Sequence, residues 1–527
     1  MSSFFSMQYS AIQKTVLRHN RLWSIAGISQ GLSRLNEIEF TAEAQRYGGT
    51  VMVAGGGKFT AFFPSPRAAE SAQSAIIEKL VTGFPMLEFQ ASDIEEADNF
   101  IQAKEKNIID GLNDQKRRFR GYATTFLPHL EVCDECGEYP AERSFGSKSP
   151  GKSTYWCRTC HEAWWLARID LAELRSEKGL TSLERIYAEY FKLTPPPSEL
   201  KAVYDFDDLF PGGKGAGSDS KNRMAVWFSD LNNMNQKVPI WLSMPDEKVF
   251  ETFETVKEVN IAVVATALSQ TFPAPAGKMP FRLIVAGGDD LCLVMPEEYV
   301  LDFASALDAA VRDKIEQLNR DSSNPLNPEW LKQMRNEWAK KNPENSGDPE
   351  VTEIGPYSFG ASFVITPTHT PFNRIHELGE ELMKTAKEKT GRRGNSINWR
   401  IMAEEQAVSD SLLDFERPLF INSKENKNAG FNELSLDDYL DLRRKFTNIS
   451  ASHRYAIITK LIELRQQEAE EQFEDWLKCY DSGEVDKSFS DLLRESRLRC
   501  DNTSSGKLVP ARVATLFELL GIKDRKN

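Results

Sequence analysis

Two stretches of this chain share one pattern: an apolar run, a glycine turn, a second apolar run. The first is TVMVAGGGKFTAFFPS (residues 50–65) and the second is FRLIVAGGDDLCLVMP (residues 281–296). Short apolar runs rich in β-branched and aromatic residues, broken by adjacent glycines, predict two strands joined by a tight hairpin. A helical pattern follows each hairpin: PRAAESAQSAIIEKLV after the first, EEYVLDFASALDAAVRDKIEQL after the second. Around the second hairpin the order can be read further. The strand MAVWFSDL and the helical stretch EKVFETFETVKEVNIAVVATALSQTF precede it; the strand SFGASFVITP and the helix FNRIHELGEELMKTAKEK come later. A β-α-β-β-α-β order with antiparallel central strands is the ferredoxin-like arrangement. The first region repeats its core, with the helical stretch AIQKTVLRHNRLWSIAGISQGLSRL ahead of the hairpin. The fold class expected is therefore α+β, with two related units.

At 527 residues the chain is too long for one core. Residues 1–95 form the first unit. Residues 96–195 open with a charged helical stretch, contain four paired cysteines and the amphipathic run HEAWWLARIDLAELRSEK, and close at TPPPSELK, where consecutive prolines stop a helix. Residues 196–405 form the second unit, with a polar insertion near 321–350. Residues 406–527 read as a helical bundle. There Ser435 with Asp438 makes an N-cap, and HRYAIITKLIELRQQEAEEQFEDWLKCY has apolar residues at helical spacing. The net charge of −13 argues against a protein that coats nucleic acid, and leaves a local basic groove open. No apolar run approaches the roughly 18 residues that span a bilayer. The N-terminus lacks a secretory pattern. Seven cysteines in a chain of this size are no disulfide framework, so a reducing cytoplasm fits best.

Two constellations carry chemistry. Cys133 and Cys136 stand two residues apart, as do Cys157 and Cys160. Two such knuckles supply four thiolates to one tetrahedral Zn²⁺, with no open position, so the role is structural. His161, directly after, is surplus to a filled site. The second constellation is the turn itself. Gly287 and Gly288 permit a tight turn that presents Asp289 and Asp290 at its apex. Asp and Gly are also ordinary hairpin residues, so the turn alone is ambiguous. Asp230, at the end of MAVWFSDL, resolves it: on the neighbouring strand it can meet Asp289 and Asp290 around Mg²⁺ or Mn²⁺. A helix N-cap is the other reading of Asp230. Lys384 and Lys387, three apart on the late helix, can share a face toward a triphosphate, although helix lysines are commonly solvated. PGGKGAGSDSKN (residues 211–222) lacks a Gly-Lys-Ser/Thr ending and precedes a strand, so it reads as a loop and not a phosphate cradle.

The whole order resembles the large, polymerase/cyclase subunit of type III CRISPR effector complexes. The residues that carry the likeness are Gly55, Gly56 and Gly57 between strands, the four cysteines, SDLNNM with Asp230, GGDD at 287–290, and TAK ending at Lys387. The resemblance implies two palm domains. The GGDD palm would join ATP through 3′–5′ bonds into cyclic oligoadenylate, using Asp230, Asp289 and Asp290 with two Mg²⁺ or Mn²⁺. The first palm, with glycines and no acids, would hold a nucleotide without catalysing. It further implies guide RNA, target RNA, and backbone-type and small helical Cas subunits as partners. Many relatives carry an HD nuclease domain; this sequence has no His-Asp dipeptide, so no DNase activity is expected of it. Where relatives often have Ser-Ala-Gly, this chain has Gly360-Ala361-Ser362. That departure leaves open another acceptor, such as S-adenosylmethionine. An inactive scaffold of the guide-RNA complex is the competing reading, and the intact carboxylates argue against it.

Overall fold

The structure, a computed structural model, describes with short interruptions residues 2–9, 21–103, 131–168, 179–210, 222–341, 357–402, 419–422, 434–446 and 515–522. The glycine-rich stretch 211–221, most of the charged stretch 104–130 and the expected helical run 453–480 lie outside the described residues.

The chain is a mixed α/β protein with two larger sheets. Strand β1 (Ser2–Tyr9) leads to helix α1 (Leu22–Arg34), which runs through a π-helical turn at Leu35–Glu39 into a helix at Phe40–Arg46. The hairpin β2 (Thr50–Gly55) and β3 (Lys58–Phe63) follows. Helix α2 (Pro66–Gly83) begins where Ser65 accepts the Ala68 N–H and proline takes the first helical position. Short strands β4 (Phe89–Ala91) and β5 (Glu95–Ala97) complete the sheet, in the order β2-β3-β1-β4 with β5 also on β1.

A two-stranded ribbon, β6 (Arg143–Ser149) and β7 (Lys152–Trp156), and helices α3 (Arg158–Leu166) and α4 (Ser182–Leu193) come next. The second sheet holds β8 (Arg223–Leu231), β9 (Arg282–Gly287), β10 (Asp290–Pro296), β11 (Phe359–Pro367), β12 (Ser396–Ile401) and β13 (Leu419–Phe420), in the order β13-β12-β11-β8-β10-β9. Helix α5 (Asp246–Thr271) connects β8 to β9, α6 (Val300–Asn319) precedes β11, and α7 (Phe372–Lys389) connects β11 to β12. Helix α8 (Leu436–Phe446) starts at a reciprocal cap: Ser435 Oγ accepts the Asp438 N–H and the Asp438 carboxylate accepts the Ser435 N–H. Numbered by their order in the chain, the four strands of each β-α-β-β-α-β run lie 4-1-3-2 across their sheet.

Several elements exceed the sequence reading. Strands β1, β4 and β12 are present although their short runs were not read as strands. The polar insertion contains a helix, Pro328–Lys341, started by Asn327, whose side-chain oxygen accepts from the N–H groups of Glu329 and Trp330. The run beginning at His161 does not continue as one helix. It stops at Leu166, where the Arg168 N–H returns to the Trp165 carbonyl.

Although the length suggests separate cores, one continuous apolar cluster runs through both sheets and the cysteine region, taking in Phe5, Phe59, Trp156, Cys160, Trp227 and Trp399, because the units pack apolar faces on one another. Trp23 on α1 stacks on Trp156 and meets Trp164 edge-on, each at 5.1 Å between ring centres. Among the described residues no helix is long and apolar enough to cross a membrane. The closest approach in this seam is at Gly27, where a Cβ would lie 1.9 Å from the Ala163 carbonyl oxygen. Gly27→Ala should therefore destabilise the protein by about 1–3 kcal/mol, read as a lower midpoint in denaturant.

Candidate active site

Strand β9 ends at Gly287 and β10 begins at Asp290, so Gly288 and Asp289 are the turn. Gly288 has φ +60°, a conformation that glycine adopts without penalty. Pairing between β10 and β8 sets Asp290 directly opposite Asp230, and the Leu231 N–H reaches the Asp289 carbonyl at 3.3 Å. One carboxylate oxygen from each of Asp230, Asp289 and Asp290 lies within 4.8 Å of the other two. The sheet thus brings together the three acids picked out from the sequence.

Their electrostatics follow from the crowding. Asp290 keeps contact with solvent at the turn, yet desolvation by the surrounding cleft raises its carboxyl well above the ordinary range, and Asp289, Asp230 and Glu380 push the same way; Lys387 opposes. Asp289 is raised by burial and by Asp230, against Lys387 and Lys58. Three carboxylates this close cannot all carry charge without a cation. An all-oxygen donor set of this kind suits Mg²⁺ or Mn²⁺, and the repulsion, relieved only in part by Lys387, fits such an ion.

Lys387 is nearly buried, 8% exposed, and its ammonium group pairs with the Asp230 carboxylate. Gly360 makes the room for it. That residue sits opposite Asp230 across β11 and β8, and a Cβ there would lie 2.3 Å from Lys387 Cγ. The unusual Gly360-Ala361-Ser362 sequence is thus explained by packing: glycine admits Lys387, and Ser362 Oγ donates to the Gly379 carbonyl at 2.7 Å, binding α7 to the sheet. Gly379 in turn lets α7 settle onto Phe228, which a Cβ would meet at 2.3 Å. Lys384 is not brought to the site. It is 74% exposed and lies 3.9 Å from Glu388.

Glu380 was missed in the sequence. It lies seven residues before Lys387 on α7, two turns along one face, and that spacing is the signal that could have flagged it. Burial and then Asp230 raise its carboxyl.

The first hairpin faces the second. Gly56 and Gly57 have φ +56° and +74°, and a Cβ on Gly287 would lie 3.9 Å from the Gly56 nitrogen. Between them opens a cavity of about 420 Å³, bounded by Gly55, Gly56, Gly57, Tyr9 and Asn36 on one side and by Asp290, Cys292 and Glu380 on the other.

The second candidate centre is the thiol cluster. Sulfurs of Cys133, Cys136, Cys157 and Cys160 all lie within 4.8 Å of one another, with Cys136 and Cys157 at 3.9 Å. Bonds of about 2.3 Å from a central Zn²⁺ would separate tetrahedral sulfurs by about 3.8 Å, so the spacing fits. Hydrogen bonds from the other thiols pull Cys133 toward thiolate, while Cys157 and Cys160 are pushed up by the same neighbours. A divalent cation is what would let all four ionise together. His161 is not part of this cluster and lies 3.8 Å from Glu162.

No family model matches the sequence, and no curated protein matches it. Solved structures do. The chain is similar to the Csm1-Csm4 cassette in complex with cA4, at a TM-score of 0.50 and 12% identity, over 99% of this chain and 70% of that one. The same cassette in complex with cA3 and in complex with one ATP each give a TM-score of 0.50 at 13% identity, again over 99% of this chain and 70% of that one. This likeness shows the fold: the chain folds as Csm1 does, in keeping with the resemblance to a type III large subunit.

Two outcomes follow from the two centres. Elemental analysis of the purified chain should find about one zinc per molecule, and Cys157→Ser should lower that content. Gly360→Ala should displace Lys387 from Asp230 and cost about 1–3 kcal/mol of stability through overpacking; a melting temperature equal to that of the wild type would refute this packing.

Proposed function

We propose that this chain is the large subunit of a type III CRISPR effector complex. Its second α+β unit (residues 196–405) is a palm that joins ATP into cyclic oligoadenylate when target RNA pairs with the guide RNA. The observation that carries the proposal is the convergence of Asp230, Asp289 and Asp290 within 4.8 Å at facing strand ends. A scaffold has no need to crowd three repelling acids at one edge.

In this reading Asp230, Asp289 and Asp290 hold the divalent cations. When bound, Mg²⁺ or Mn²⁺ polarises the attacking 3′-hydroxyl and offsets charge on the transferring phosphate and departing pyrophosphate. The chain's own residues do the rest. Gly287 and Gly288 keep the turn free of side chains where a triphosphate approaches. Lys387 holds Asp230 in place and adds positive charge beside it. Lys384, on the exposed face, takes no part. The first unit (residues 1–95) is a second palm. Its Gly55, Gly56 and Gly57 turn carries no acid, so it holds a nucleotide across the cavity without catalysing. Complexes of the Csm1-Csm4 cassette with ATP, cA3 and cA4 support this reading. The cysteine region (96–195) holds one structural Zn²⁺ that fixes β6–β7 against α1. The chain beyond residue 405 contacts partner subunits or RNA. Packing accounts for Gly360 and Ser362, and the acceptor that joins ATP is read from the product itself.

The test is reconstitution of the complex with guide RNA, ATP, Mn²⁺ and complementary RNA, with products identified by mass spectrometry. A cyclic, 3′–5′-linked adenylate with release of pyrophosphate is expected. Replacing Asp289 and Asp290 by Ala should lower its rate by about a hundredfold or more, as loss of several kcal/mol of charge stabilisation demands. A complex that binds target RNA yet yields no ATP-derived product would overturn the proposal.

A further inference from the structure

The acidic turn is gripped from behind by a residue that no sequence signal marks. Asn260, on α5, donates its side-chain N–H to the Gly288 carbonyl and accepts from the Tyr357 hydroxyl. The orientation of the amide is set by chemistry: a carbonyl can only accept, so the nitrogen must face Gly288 and the oxygen must face Tyr357. Tyr357 is buried, 4% exposed, and stands just before β11. The next two residues hold the strand that bears Asp230. The Ser358 carbonyl accepts from the Asn232 N–H at 2.8 Å, Asn232 Nδ2 donates to Ser358 Oγ at 3.0 Å, and Phe359 pairs with Leu231. Residues 357–359 therefore fasten both carboxylate-bearing segments at once, and Asn260 is the link to the turn.

Helix α5 is itself pinned one turn earlier. Lys257 lies 2.9 Å from Glu37, and the same Glu37 oxygen accepts from the Ser182 N–H and hydroxyl at 2.9 and 2.6 Å. Glu37 belongs to the π-helical turn, whose Asn36 donates to the Lys58 carbonyl of the first hairpin at 3.0 Å. Asn260 thus reaches the turn from a helix anchored on both units.

We propose that Asn260 is a positioning residue for the acidic turn. By fixing the Gly288 carbonyl, with Tyr357 as its anchor, it sets where Asp289 and Asp290 stand relative to Asp230. This rests on the reading that those carboxylates bind divalent cations. In this role Asn260 acts through the turn's backbone, from the wall of a cavity that it shares with Asp230, Asp289 and Asp290.

The test uses the full chain and Mn²⁺ alone, with binding measured by calorimetry and melting temperature followed in parallel. Asn260→Leu keeps the side-chain volume and removes both hydrogen bonds. It should weaken Mn²⁺ binding about 10- to 100-fold, the usual cost of losing a partner that orients metal ligands. In the assembled complex it should lower kcat while the KM for ATP stays near that of the wild type. Tyr357→Phe, which keeps the Asn260–Gly288 bond and removes its anchor, should shift Mn²⁺ affinity in the same direction by less. Wild-type affinity for Mn²⁺ in Asn260→Leu overturns the inference and leaves the proposed function standing. A wild-type chain that binds no Mn²⁺ overturns both. Should Asn260→Leu fail to fold, Tyr357→Phe decides: weaker Mn²⁺ binding supports the inference and unchanged binding overturns it.

Discussion

Repulsion among Asp230, Asp289 and Asp290 is the constraint on which the site depends. Two unit charges about 4 Å apart in a partly buried cleft oppose each other by about 4 kcal/mol at an effective dielectric of 20. A flexible loop would relieve that by swinging apart. Here it cannot, because Asp290 is locked in register with Asp230 and the turn is held at Asp289 and Gly288. The only described cation in direct ion-pair contact with the triad is Lys387, one charge against three. The sheet stores an imbalance of the sign that divalent cations relieve.

That imbalance is held by close packing of helices on the sheet. Lys387 reaches Asp230 because Gly360 lacks a Cβ, and α7 lies close because Gly379 meets Phe228. Each glycine removes a side chain at a point where two elements touch. The same device operates at Gly27, where α1 meets the helix of the cysteine region. A cysteine cluster, an aromatic seam and two sheets share one core, so the thiol site packs into the same wall as α1.

What was legible in the sequence was whatever depends on local spacing. Cys-x-x-Cys twice, glycines at φ-positive turns and an acid ending an apolar strand each follow from a few adjacent residues. Lys384 and Lys387 show the limit. They are about 60° apart around the helix, and the boundary between buried and exposed faces falls between them; only packing against β11 and β8 decides which is which. Asn260 and Tyr357 were invisible for a similar reason, since their contact joins residues 97 apart. SSFFSMQY and SINWRI are buried strands without turn signals, where periodicity alone does not separate strand from buried helix. Residues 328–341 hid a helix behind a polar composition, although Asn327-Pro328-Glu329 is a helix start.

The two hairpins, finally, differ in charge more than in shape. Both close on glycines with positive φ, both sit at the same place in a 4-1-3-2 sheet, and a Cβ added to Gly287 would come within van der Waals range of Gly56. One ends in Asp289 and Asp290; the other continues into Lys58, whose positive charge pulls against the upward shift of Asp289. Facing glycine turns leave an open cavity of about 420 Å³ where larger residues would fill it. A pair of turns that were both acidic would repel across that gap, and a pair that were both basic would offer nothing to a cation. With acid on one turn and lysine after the other, the two units present unlike charge across the cleft, which is what the proposed division of labour between them requires.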